Sequence, residues 1–195
     1  MAKREILQIN TPEGDAILRT RARKISRMDE ETMQLARDMV ETVVGVGVGL
    51  AAPQVGVPLR LIVVDIPPDS LEEDDPGFQM ALYNPRIVRR RGGKDVDEEG
   101  CLSLRNMYGS VERDLSVVVR AYDMQDQEIQ ITADGFLARV LQHEIDHLEG
   151  VMFTDYMENP DAQLRYVPPR DPNAPDSGED GAMADRETER AAIVE

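Results

Sequence analysis

The spacing of apolar positions divides the chain into a few readable elements. Met33, Ala36, Met39, Val40 and Val43 recur at helical intervals, with Glu30 and Glu31 at the positive end of the dipole and Asp29 placed as a cap, which predicts a helix over 29–44. Gly45-Val46-Gly47-Val48-Gly49 ends it, since repeated glycine is a poor helix interior. Leu59-Arg60-Leu61-Ile62-Val63-Val64-Asp65 reads as a buried strand, and the acidic, proline-containing stretch 67–77 as a surface loop. Strands are predicted near 80–88 and 115–122, followed by a turn at 123–127 and a returning arm at 128–133. Asp134 is a candidate N-cap for a second main helix over 135–148, stopped by Gly150. On that helix Phe136, Val140, His143 and His147 form one stripe, which places both histidines in a protected cleft. From about Pro160 proline, glycine and acidic residues dominate, predicting a mobile tail with a weak helix near 183–194. The fold class is α+β: mostly antiparallel strands around a central helix carrying the histidines, an N-terminal helix and a flexible C-terminal tail. The expected division is a catalytic domain at 1–157 and an acidic, proline-rich tail at 158–195.

Composition narrows the class. With 195 residues, 41% of them apolar, the chain has room for one proper core. No apolar run approaches the roughly 20 residues of a membrane span, and the N-terminus carries no apolar signal segment, so a cytoplasmic location is expected. A net charge of −16 argues against broad or specific nucleic-acid binding. The charge is uneven, however: residues 1–27 carry seven Lys or Arg against three acids, whereas 171–195 carry eight acids against Arg186 and Arg190. The basic segment and Arg89-Arg90-Arg91 are candidate patches for an anionic partner, although both also fit ordinary solvated surface. Cys101 is the only cysteine, which excludes an internal disulfide.

The candidate chemistry centres on His143 and His147, the only two histidines. Four residues apart on a helix, both imidazoles leave one face and can reach one metal ion. Such a pair also arises by chance, but Glu144 between them completes His-Glu-x-x-His, two ligands and a carboxylate able to act on a polarised water. An open catalytic site needs a third ligand. Downstream, Glu149 is too near along the helix and Glu158 is the next candidate. Upstream, Cys101 in Glu98-Glu99-Gly100-Cys101-Leu102-Ser103-Leu104 would make a soft site with the imidazoles, with Gly100 permitting a tight ligand loop. The segment from Gly47 to Gly56 offers close backbone approach and the Gln54 amide as donor, or is simply a helix stop and turn.

Taken in order, Gly47-Val48-Gly49-Leu50-Ala51-Ala52-Pro53-Gln54, Glu99-Gly100-Cys101-Leu102-Ser103 and Gln142-His143-Glu144-Ile145-Asp146-His147 resemble the three motifs of the peptide deformylases, and the resemblance extends over residues 4 to about 157, including Asn84-Pro85. It implies hydrolysis of the N-formyl group from formylmethionine at the start of new polypeptides, releasing formate. It assigns Cys101, His143 and His147 to one divalent metal, Fe2+ as the native ion with Zn2+, Ni2+ or Co2+ able to replace it. It makes Glu144 the general base and then acid, gives Gln54 and the Leu102 N–H the oxyanion, and has the Gly49 backbone hold the substrate as an added strand. By analogy Val48, Phe136 and Val140 wall a pocket for the methionine side chain, with Arg139 at its rim, and Glu99 with Arg113 forms a buried ion pair behind the cysteine loop. Implied partners are N-formylmethionyl nascent peptides and, transiently, the ribosome. The acidic tail departs from members that dock on the ribosome through a basic C-terminal helix, and the basic N-terminal segment is a weak substitute. A metallopeptidase would explain neither Cys101 nor the Gln54 loop. A catalytically silent metal- or ribosome-binding member would be expected to lack a ligand or the base, and all are present.

Overall fold

Alternation along one short strand organises the molecule, seen in a computed structural model that describes residues 2–68 and 77–169. Helices α1 (Pro12–Leu18) and α2 (Glu30–Val43) lead into strand β1 (Gly49–Ala51) and a 3-10 turn at Ala52–Val55. Strand β2 (Leu61–Ile66) follows, buried at every position. Its successive side chains point to opposite faces. Ile62, Val64 and Ile66 join a core with Leu141, Ile145 and Leu148, whereas Leu61 and Val63 join Leu35, Met39 and Val43 of α2. A strand covered on both faces has no polar side to alternate with, which accounts for its continuous apolar run.

The remaining elements are β3 (Phe78–Cys101), β4 (Leu104–Tyr122), β5 (Glu128–Asp134), α3 (Gly135–Glu149), a 3-10 turn at Phe153–Tyr156, α4 (Pro160–Gln163) and β6 (Arg165–Tyr166). The sheet runs β1-β2-β3-β4-β5 with every pair antiparallel, and β6 joins β4. This is a mixed α+β architecture around an antiparallel sheet. Asp29 caps α2 as expected, its side chain accepting from Thr32 N. Asp134 occupies the cap position of α3 without a side-chain capping bond, and Gly150 closes that helix at φ 77°.

Three expectations change. Helix α1 was not predicted; Thr11 caps it and Pro12 starts it, but seven residues are too few for a periodic pattern. Strands β3 and β4 run far past the predicted 80–88 and 115–122, as a hairpin whose two-residue turn is Leu102-Ser103. Its outer half holds Arg89, Arg90, Arg91, Lys94 and Asp97, so pairing rather than apolar periodicity defines it. Past residue 157 the chain is still paired: Tyr166 lies opposite Met107 on β4. The weak helix expected near 183–194 and most of the 67–77 loop lie outside the described residues. No described helix is long and apolar enough to cross a membrane.

Candidate metal centre

Helix α3 presents His143 and His147 one turn apart, their rings 4.9 Å between centroids and nearly perpendicular. The turn of the β3–β4 hairpin brings Cys101 to them. Its Sγ lies 3.4 Å from His147 Nε2, and one ligand atom from each of Cys101, His143 and His147 falls within 4.8 Å of the others. A thiolate and two imidazoles suit a single divalent cation. Glu158, the alternative third ligand, is not part of the cluster.

Behind the ligands, Glu99 anchors His143. The Glu99 carboxylate lies 2.9 Å from His143 Nδ1, so Nδ1 is the donor and Nε2 turns toward Cys101. Arg113 binds the same carboxylate through two nitrogens at 2.8 and 2.9 Å, both side chains only 4% exposed. Burial alone would raise the Glu99 carboxyl; the hydrogen bonds from Arg113 and His143 outweigh it and hold it well below the usual range. For His147, burial followed by the neighbouring His143 charge pushes the pKa well down and favours the neutral ring a ligand needs.

Glu144 lies beside the ligands, 4% exposed, and burial raises its carboxyl to about 7. Its Oε2 has no hydrogen-bond partner among the described residues. A Cβ placed on Gly49 would sit 2.3 Å from the other oxygen, so the glycine is the cradle of this carboxylate. An orphaned buried carboxylate next to three convergent ligand atoms fits a cation with water on it. At Gly100, the structure gives a different reason for the glycine from the one expected: it carries no positive φ, but a Cβ there would meet the Tyr108 ring at 2.6 Å.

Gln54 is the third residue of the 3-10 turn after β1 and is 1% exposed. Its Oε1 accepts from Ala51 N at 2.7 Å, which turns Nε2 toward Ser103 Oγ at 3.3 Å and Cys101 Sγ at 3.5 Å. Leu102 is held from behind: Gln8 Nε2 donates to its carbonyl at 3.0 Å, and Ile9 N donates to Ser103 O at 2.9 Å. Strand β1 is the last strand of the sheet, with no described strand on its outer edge. Val48, Phe136 and Val140 meet in one apolar cluster. Arg139, placed by the resemblance at the pocket rim, is 7% exposed and donates to Glu99 Oε1, Val111 O and Asp95 O, because its guanidinium finds buried acceptors there.

Four contributors escaped the sequence reading. Ser103 and Gln8 position the Gln54 and Leu102 donors, while Asp146 and Tyr156 hold Arg113, by an ion pair and by a ring 4.5 Å under the guanidinium. Ser103 and Asp146 were inside recognised motifs; nothing in the sequence linked Gln8 or Tyr156 to the site.

A sequence profile of the family described as polypeptide deformylase matches residues 3–163. The peptide deformylase of Thermomicrobium roseum is 53% identical over 157 residues, covering 80% of this chain and 88% of the relative. Among solved structures, a peptide deformylase from Legionella pneumophila superposes with TM-score 0.71 at 41% identity, over 80% of this chain and 87% of that one. One from Synechococcus elongatus in complex with actinonin gives TM-score 0.70 at 38% identity, over 82% and 81%.

Proposed function

The chain belongs to the polypeptide deformylase family and is a metal-dependent hydrolase that removes N-formyl groups; we propose that Cys101, His143 and His147 hold its metal and that Glu144 moves the protons. The observation that carries this assignment is the convergence of three ligand atoms beside a buried carboxylate with an unpartnered oxygen. When bound, a divalent cation there supplies Lewis-acid polarisation and brings the pKa of water from 15.7 toward about 7. Ferrous iron is proposed as the native ion on the family resemblance, with zinc, nickel or cobalt suiting the same donors.

Glu144, raised by burial to about 7, can both accept and return a proton near neutral pH. It takes the proton of the attacking water as the new C–O bond forms at the formyl carbon. It then delivers that proton to the nitrogen as the C–N bond breaks, leaving formate and a free amine. Gln54 Nε2 and the Leu102 N–H stabilise the oxyanion, each such donor being worth roughly 2.7–4 kcal/mol. The peptide adds along the outer edge of β1 at Gly49, with the methionine side chain among Val48, Phe136 and Val140. The substrate reaches the enzyme as cytoplasmic nascent chains in transient contact with the ribosome. Residues 1–157 carry this activity, with 158–195 as an acidic extension.

The test is formate release from formyl-Met-Ala by anaerobically iron-loaded protein, beside Glu144→Ala retaining its metal. Turnover lost only in the variant is the expected result. Folded, metal-loaded wild type without turnover would refute the assignment.

A further inference from the structure

The two groups assigned to the oxyanion come from separate elements. Gln54 sits in the 3-10 turn after β1, and Leu102 in the two-residue turn that closes the β3–β4 hairpin. Among the described strands β1 pairs with β2 alone, so no sheet ladder sets the spacing between these two turns. Besides the Gln54 side chain itself, a short piece of chain from outside the three motifs bridges them.

Residues 7–9 bond to both turns. Leu7 N donates to Gln54 O at 2.8 Å, and Ile9 N donates to Ser103 O at 2.9 Å. Between them, Gln8 Nε2 donates to Leu102 O at 3.0 Å and back to Ile6 O at 3.2 Å. The segment is tied down on either side. Before it, Ala2 N and the Arg4 guanidinium bind Asp38, and Arg4 N donates to Thr42 Oγ1, both on α2. After it, Gln8 O accepts from Thr11 N and Thr11 Oγ1 at the cap of α1. Helix α1 packs directly on Gln8, since a Cβ on Gly14 would overlap the Gln8 carbonyl.

The hairpin turn needs such a hold. The central peptide of a two-residue turn lies outside the ladder and is the part free to tilt. Here its carbonyl is Leu102 O, held by Gln8, and its N–H is that of Ser103, which donates to Cys101 Sγ at 3.4 Å. Tilting it turns the preceding peptide, whose N–H is the Leu102 donor. An oxyanion donor is effective only when aimed at the place where charge develops. A hydrogen bond from Gln8 fixes that direction, which apolar packing would not.

We propose that residues 7–9 brace the oxyanion pocket by fixing the spacing of its two donors, with Gln8 as the positioning residue for the Leu102 N–H. This rests on the reading of Gln54 and Leu102 as those donors. Gln8 acts through Leu102, so its loss leaves the donor present but poorly aimed. The effect should therefore fall short of the roughly 10²–10³-fold loss of a whole donor, and should appear in kcat, because the bond strengthens as charge grows on the oxygen.

The experiment compares wild type with Gln8→Met and Gln8→Lys. Methionine keeps the length of glutamine without a donor, and lysine restores one. Formate release from formyl-Met-Ala is measured on anaerobically iron-loaded protein, and amide hydrogen exchange by NMR on the zinc-loaded form. Gln8→Met should lower kcat about tenfold with KM within about twofold of wild type. Exchange at Ile9 and Ser103 should quicken about tenfold, while Val117, Val118 and Val119 inside β4 stay unchanged. Gln8→Lys should return kcat to within about threefold of wild type. Wild-type kcat in Gln8→Met, an equal loss in Gln8→Lys, or unchanged exchange at Ile9 and Ser103 overturns the proposal. Raised KM with kcat intact also overturns it and puts Gln8 in substrate binding. Inactive wild type would refute the deformylase reading, whereas the exchange result reports on the brace without turnover, so the two failures are distinguishable.

Discussion

Gly49→Ala isolates the fit between β1 and the Glu144 carboxylate, the group proposed to move protons. A Cβ at this position would lie 2.3 Å from Glu144 Oε1, 2.7 Å from Cδ and 2.9 Å from Cγ, against 3.4 Å or more in ordinary contact. Glu144 is 4% exposed and has no solvent to swing into, so its carboxylate must retreat by about 1 Å, a displacement that costs on the order of 10²-fold in rate. Without the clash, alanine would stabilise a strand by roughly 0.5–1 kcal/mol over glycine. Overpacking should reverse that sign, with a net loss of about 1–3 kcal/mol. The sign therefore reports the contact. In a Glu144→Ala background the same Gly49→Ala change should be neutral or stabilising. Urea unfolding of the four proteins in this cycle, with kcat for formate release and metal content on the two that retain Glu144, makes the measurement. Wild-type turnover in Gly49→Ala, or equal destabilisation in both backgrounds, would refute the reasoning.

Ser103→Ala removes the hydroxyl that holds one Gln54 N–H, so kcat should fall about tenfold with KM little changed. That is less than the 10²–10³ expected for losing the Gln54 donor outright, and Ser103→Thr should restore part of it. Glu99→Gln leaves Arg113 and Arg139 buried beside a neutral amide; a stability loss of about 3 kcal/mol and metal affinity 10–100-fold weaker are expected by chemical unfolding and metal titration. Asp38 is held below its ordinary pKa by hydrogen bonds from Ala2 N, Gln34 and Arg4. A depressed carboxyl contributes stability above its unfolded pKa of about 3.9 and loses it as pH falls through the folded value. Asp38→Asn should therefore lower Tm at pH 7 and converge on wild type below about pH 4 in thermal melts.

What was legible depended on whether a signal was local. Asp29 and the apolar stripe of α2 lie within one short window, and the sequence reading placed that helix within a residue or two of Glu30–Val43. The doubly buried β2 was readable for the same reason. The outer β3–β4 hairpin was not, because Arg91 opposite Ser116 and Asp95 opposite Arg113 carry no apolar alternation. Its existence depends on backbone pairing between segments some twenty residues apart, which residue type does not report. At the metal centre the ligand types and their order were visible, since chemistry restricts which side chains can serve. The supports were not: Gln8 reaches Leu102 across 94 positions, and Arg139, read as a pocket residue, turns toward Glu99. A buried guanidinium goes where acceptors are, and sequence spacing does not show where that is.

The Glu99 cluster is too costly to be explained by stability alone. Glu99 and Asp146 face Arg113 and Arg139, two carboxylates against two guanidiniums, nearly all withdrawn from water. Apolar side chains of similar volume would often hold such a space as well or better, because desolvating four charges offsets most of their attraction. They would leave His143 free to rotate. Glu99 Oε1 accepts from Arg113 and Arg139, and Oε2 accepts from Arg113 and from His143 Nδ1. With its acceptor positions filled from fixed directions, the carboxylate has one orientation, and it passes that orientation to the imidazole and its Nε2. Arg113 is itself fixed by Asp146, which lies on α3 between the two histidines. The helix that supplies the ligands thus also braces the support behind one of them, so that tilting α3 would move His143 and the Arg113–Glu99 pair together.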